Sequence, residues 1–158
     1  MSDLYQISAN LRANVADLTR VESPSAALTL TRSATLAITT AGTIITWQVE
    51  TRNQGFTWSG TDITIPTAGY YNISFVFSTS ANIAPLIYVR VNSVLVSLFS
   101  HFYTGFNRGA AVMQRYFATG DLLSVYIVPN VNVNINVVAE DTANESPILN
   151  IVQLTGVI

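Results

Sequence analysis

From about Leu28 to the end of the chain, apolar and polar residues alternate one by one in short runs, which restricts this region to sheet structure. A period of two puts every second side chain on the same side of a pleated strand, whereas a helix needs apolar residues three and four apart. Ile45, Trp47 and Val49 alternate with Thr46, Gln48 and Glu50, and Tyr71, Ile73, Phe75 and Phe77 share one face. The same rhythm returns at Ile87-Val89-Val91, Val94-Val96-Leu98 and Leu123-Val125-Ile127. Further strands are predicted at Ile63 to Ile65, Val112 to Phe117, Val131 to Val138 and Ile148 to Leu154. Turn residues separate them: Asn53-Gln54-Gly55, Trp58 to Asp62, Pro66 to Gly69, a hairpin at Asn92-Ser93, and Thr119-Gly120-Asp121. Roughly nine or ten short strands at this spacing predict an all-β sandwich or jelly roll. Valine, isoleucine, threonine and aromatics fill the runs, so propensity agrees with pattern.

The first residues read differently. Leu4, Ile7, Leu11, Asn14, Leu18 and Val21 occupy successive a and d positions of about three heptads, the pattern of a short coiled coil. Ser2 is a candidate cap, and Ser23-Pro24 would end the helix, because proline disfavours helical geometry in the residue before it. A helix this short needs partner chains or a docking surface, so an extended arm that orders against a neighbour stays an equal alternative. The expected division is an attachment arm or coiled coil over 1–30 and a β-domain over 31–158.

Composition narrows the partners. Hydrophobic residues make up 49% of the 158 positions and charged residues 10%, against roughly 25% charged in an average soluble domain. Thr, Ser, Asn and Gln must therefore supply the polar surface, which suits a sheet that partners will cover. The net charge is -2, and the seven basic residues, all arginine, are scattered, so no stripe exists for a phosphate backbone. No nucleic-acid partner is expected. The start lacks the basic and apolar regions of a signal peptide, and no run reaches the roughly 20 apolar residues of a membrane span, so synthesis in a cytoplasm with no membrane partner is expected. With no cysteine, neither disulfides nor cysteine-ligated zinc enter the reading.

The segment Ile63-Thr64-Ile65-Pro66-Thr67-Ala68-Gly69-Tyr70-Tyr71-Asn72-Ile73-Ser74-Phe75 resembles the C1q/tumour-necrosis-factor-like domain, whose members there carry an apolar strand, a proline, Ala-Gly and alternating aromatics. Ile45 to Glu50 with Asn53 and Gly55, Gly120-Asp121 with Leu122 to Ile127, and Asn150 to Ile158 follow in the family's order, so the resemblance covers about residues 33 to 158. It implies a jelly roll of about ten strands that associates as a homotrimer through one of its sheets. Low charge argues for the same outcome, because burial between identical subunits hides apolar surface that one core cannot. The missing signal peptide, collagen stalk and cysteines favour the bacterial and bacteriophage versions.

Candidate chemistry is thin. His101, the one histidine, has no visible nucleophile or acid partner, so packing is the better reading than catalysis. Asp121 is explained by its turn. Glu140, Asp141, Asn144 and Glu145 lack the ligand spacing of a calcium loop, so no metal, cofactor or catalytic residue is assigned. Asn72-Ile73-Ser74 and Asn144-Glu145-Ser146 match the glycosylation sequon without a secretion signal. Trp58, Phe102, Tyr103 and Phe106, with Phe99, could stack on a sugar, although core or subunit contact is the commoner use of such aromatics. Val131 to Val137 sets Asn132, Asn134 and Asn136 on one face, either wet or against another chain.

The expected function is that of a non-enzymatic virion protein of a tailed bacteriophage, made in the bacterial host cytoplasm. The leading form is a homotrimeric capsid decoration, or cement, protein held to the major capsid protein or another virion protein by its N-terminal arm. A fibre tip that recognises a host surface glycan is the alternative.

Overall fold

The alternating runs form strands that close into a two-sheet sandwich. The computed structural model describes residues 26–80, 85–98, 101–102, 108–129, 135–137 and 147–154. Its strands are β1 (Ala27–Thr31), β2 (Leu36–Ile38), β3 (Thr43–Ile44), β4 (Val49–Gln54), β5 (Thr57–Ser59), β6 (Asp62–Thr64), β7 (Gly69–Ser78), β8 (Leu86–Val91), β9 (Val94–Leu98), β10 (His101–Phe102), β11 (Arg108–Phe117), β12 (Leu122–Val128), β13 (Ile135–Val137) and β14 (Ile148–Gln153). The first sheet runs β10-β11-β7-β14-β1-β4. The second runs β5-β6-β12-β8-β9, with β3 also paired to β12, and β13 pairs separately with β2. All of these pairings are antiparallel.

The core lies between the sheets where the period of two predicts it. Tyr71, Ile73, Phe75 and Phe77 from β7 face Ile87 and Val89 of β8 and Leu123, Val125 and Ile127 of β12, all buried. Aromatic contacts organise the interior: Trp47 meets Phe75 edge-on at 5.9 Å, Tyr71 meets Phe117 at 5.9 Å, and Phe75 stacks on Phe77 at 5.0 Å. Each such side chain contributes about 1.5 to 3 kcal/mol through burial. The Tyr71 hydroxyl donates to the Thr67 carbonyl at 2.7 Å, which satisfies its polar end and pins the turn after Pro66.

The Asn92-Ser93 hairpin is present, with φ of 49° and 68° at its two residues, as a tight turn between twisted strands requires. It is clipped to the Gly120-Asp121 turn. Asn92 Nδ2 donates to Asp121 Oδ1 at 2.9 Å, the Leu122 amide donates to Asn92 Oδ1 at 3.0 Å, and the Ala118 amide donates to Asp121 Oδ2 at 2.9 Å.

Four expectations need correction. The boundary drawn between residues 30 and 31 falls inside β1, whose residues Ala27 to Leu30 pair with both β14 and β4, so the β-domain includes them. The alternation at 45–50 ends after Trp47: Ile45 N donates to Val125 O in the second sheet and Gln48 N to Thr31 O in the first. The chain crosses between sheets there and leaves Val49 39% exposed. Asn53 and Gln54 belong to β4 and Trp58 belongs to β5, so both turns are shorter than their composition predicts. The strand count is also higher, because the short strands β2, β3, β5 and β10 form in stretches that the alternation does not mark as strands. Within Val131 to Val138 the described strand is Ile135–Val137, and Asn132 and Asn134 lie outside the described residues.

Candidate functional site

The first sheet has one face in the core and one face turned outward, and the outward face has little charge. In β7, Tyr70, Asn72, Ser74 and Val76 point away from the buried set, and in β11 Ala110, Val112, Gln114 and Tyr116 do the same. The register assembles these into rows. One runs Val112, Ser74, Asn150, Thr29, Arg52; the next runs Gln114, Asn72, Val152, Ala27, Gln54.

At one end of this face Tyr70 and Tyr116 form an edge-on pair at 5.5 Å, yet they stay 58% and 54% exposed. Toward the other end Val76 and Val112 are exposed as well. A polar chain crosses the middle: Thr29 Oγ1 donates to Asn150 Oδ1 at 2.9 Å, and Asn150 Nδ2 to Ser74 Oγ at 3.5 Å. Beside it, Asn72 Oδ1 is buried and accepts no hydrogen bond. Arg52 stands on this face at its β4 edge, where it donates to Gln54 Oε1 at 2.9 Å, and Arg108, paired with Ser78, has the parity of this face at the start of β11. Apolar groups exposed next to a desolvated, unpaired acceptor make a surface suited to a flat contact with another chain. The Asn72 sequon lies within β7, its asparagine half-buried in the sheet.

Among the described residues, those singled out in the sequence lie on separate elements. Trp58 is half-buried against the core, and its indole N–H donates to Glu50 Oε2 at 2.6 Å, so the ring is held rather than offered. Phe102 and His101 lie in β10, paired with Gly109 and Ala110. β5 stands at the sandwich edge next to β4, whereas β10 follows β11 at the opposite edge, so Trp58 and Phe102 belong to strands at opposite edges. Tyr103, Phe106 and Phe99, the heptad positions Leu4, Ile7, Leu11, Asn14, Leu18 and Val21, and Glu140, Asp141, Asn144 and Glu145 lie outside the described residues. Asp121 is occupied by its two hydrogen bonds, as a turn residue should be. Among the described residues no group of three or more His, Cys, Asp or Glu could hold a metal, and no helix is long and apolar enough to cross a membrane.

Arg32 is the one buried cation of the described residues. Its Nη1 donates to the carbonyl and hydroxyl of Thr46, and Nε has no partner. Burial lowers its pKa below the usual arginine value. This arginine fastens the start of the crossover between the sheets.

The sequence hides the outward face because alternation marks one parity of a strand as core and treats the other as solvent. The available signal is the type of residue at the second parity: Tyr70, Val76, Val112 and Tyr116 stand where a fully wet face would carry charge.

No protein-family model matches the sequence, and no curated protein aligns with it. Comparison of the fold with solved structures does find relatives in shape. The vertex protein P5 of PRD1 superposes with a TM-score of 0.59 at 16% identity, covering 84% of this chain and 99% of that one. Murine APRIL at pH 8.5 superposes at 0.57 with 16% identity, covering 82% and 98%. The globular domain of the zebrafish complement 1qA protein superposes at 0.53 with 12% identity, covering 82% and 95%. These identities speak for fold alone, and the names are not those of enzymes. Strand order, buried faces and these superpositions together identify the fold as a C1q/tumour-necrosis-factor-like jelly roll.

Proposed function

We propose that the protein is a non-enzymatic structural component of a tailed-bacteriophage particle, a homotrimer that decorates the capsid and is attached to it by residues 1 to about 30. The observation that carries the assembly half of this reading is the outward face of the first sheet. Its exposed tyrosine pair, its exposed valines and the unpaired Asn72 acceptor form a weakly charged surface that a second and third copy would cover. The particle half is supported by the shape shared with the PRD1 vertex protein P5 and by a segment before β1 long enough to reach a neighbouring protein.

The test is deletion of residues 1–23, which removes none of the described strands. The truncated protein is expected to remain trimeric by sedimentation and to lose binding to capsids. A monomeric product would make the N-terminal segment a trimerisation stalk. Full capsid occupancy by the truncated trimer would refute the attachment arm, and binding to host cells in place of capsids would favour the fibre-tip alternative.

A further inference from the structure

The outward face of the second sheet carries an arginine whose charge nothing in the described protein neutralises. Arg90 on β8 donates from Nη2 to the Ser93 carbonyl at 2.9 Å, and its guanidinium lies over the Tyr126 ring, 5.7 Å from Cζ to the centroid. No carboxylate among the described residues pairs with it, and most of its N–H donors are unengaged. Arg90, Ser93, Leu95 and Tyr126 line an open hollow of about 330 Å³. The Tyr88 ring adjoins Tyr126 at 6.4 Å, tilted by 41°.

The hollow is rigid for reasons the backbone makes plain. The Tyr126 hydroxyl donates to the Ala41 carbonyl, and Gly42, with φ of 89°, lets the backbone close over the ring, since a Cβ there would overlap it. Arg90 is held by the Asn92-Ser93 turn, itself clipped to Asp121. A cation fixed beside a fixed aromatic ring in a shallow cavity meets a ligand without paying for reordering.

The chemistry on display selects the ligand. A guanidinium makes bidentate contacts with planar carboxylates and with phosphates. One unpaired positive charge matches one negative charge, which disfavours a doubly charged phosphate monoester. Tyr126 and the half-exposed Leu95 offer an apolar floor of the kind that receives the C–H face of a sugar ring, with Ser93 lining the hollow beside them. The volume is at the low end for small-ligand sites, enough for a sugar unit and small for an extended peptide.

We infer that this hollow binds a carboxylated sugar, a hexuronate unit of an acidic polysaccharide, with Arg90 holding the carboxylate and Tyr126 the ring. The site is on the opposite side of the sandwich from the face assigned to assembly, so it is open in the trimer. It does not depend on where in a particle the protein sits.

The probes are oligogalacturonate and oligoglucuronate, the fully methyl-esterified form of the former, and polyglutamate, each titrated calorimetrically against the full chain. The free acid of at least one oligosaccharide is expected to bind in about the millimolar range per site, and its ester at least about tenfold more weakly. Arg90→Met is expected to weaken the acid by at least about tenfold with subunit mass and melting temperature unchanged. Leu95→Asp, which sets a carboxylate in the hollow beside Arg90, should block the site to a similar degree and serves as the second variant if Arg90→Met folds poorly. Equal binding of acid and ester, polyglutamate binding as tightly as the sugars, binding unaltered in both variants, or no binding of either acid at about 10 mM would each overturn the assignment.

Discussion

The two outward faces of the sandwich are built from the same small set of residue types and prepare for different encounters. On the first sheet, exposed tyrosines and valines surround an asparagine oxygen that is buried and unpaired. That surface is flat, nearly uncharged and left unsatisfied by its own chain. On the second sheet, Arg90 and Tyr126 are held by hydrogen bonds and a close glycine, and they leave a hollow rather than a plane. A jelly roll thus has two sides to specialise, and the contrast lies in how each side leaves its polar groups. Where an acceptor waits for a donor over a wide apolar plane, another copy fits; where a cation waits beside a ring in a concavity, a small anion fits.

The contrast is tested most severely by placing a carboxylate on each face. Val112 is 66% exposed at the β11 end of the row whose other end is Arg52. Val112→Glu would bury an unpaired charge at every subunit contact, a cost of several kcal/mol each, and should convert the trimer to monomers by sedimentation. Leu95→Asp on the other face should leave the mass at that of a trimer. The proposed trimer should also persist at about 1 M salt, because burial rather than charge is expected to hold it. A trimeric Val112→Glu protein, or a monomeric Leu95→Asp protein, would break the division of labour between the faces.

A smaller effect tests whether the hollow's frame is separate from the assembly face. Asp121→Ala removes the acceptor for Ala118 N and Asn92 Nδ2, which ties the β8-β9 hairpin to the turn before β12. Denaturant unfolding should show a loss of about 1 to 3 kcal/mol. Subunit mass should be unchanged, and sugar binding should weaken, since the turn that holds Arg90 loosens. An unchanged unfolding midpoint would mean that the clip contributes nothing.

The parts of this molecule that were legible in the sequence are those that depend on neighbours along the chain. β7 and β12 show their buried parity directly, and Asn92-Ser93 shows its hairpin because few residue pairs accept positive φ at both positions. The crossover at 45–48 is hidden because the apolar–polar alternation of the sequence runs on through Val49 while the hydrogen bonds pass from one sheet to the other after Trp47. The faces were illegible for a related reason. Arg90 and Tyr126 are brought together by the β8-β12 register, which pairs Tyr126 with Tyr88 and Ser124 with Arg90, and no local pattern encodes that pairing. The ring of Trp58 is plain in the sequence, but its partner Glu50 comes within reach only through the turn between β4 and β5.

The smallest expected effect is also the most discriminating, because its sign should differ between monomer and trimer. Asn72 Oδ1 is desolvated without a donor, a condition that costs a single chain about 1 to 3 kcal/mol. In the Val112→Glu monomer, Asn72→Ala should therefore leave stability unchanged or raise it slightly, since a penalty disappears together with some packing. In the parent trimer a neighbouring subunit is expected to supply the donor, and Gln114 and Gln54 lie in the same row as candidates for that contact. There Asn72→Ala would strand the donor and weaken each contact by about 1 kcal/mol, roughly fivefold in dissociation measured by dilution. A variant that destabilises the monomer and leaves trimer dissociation untouched would show that Asn72 serves its own sheet, and would remove the polar half of the argument for this face as the place where copies meet.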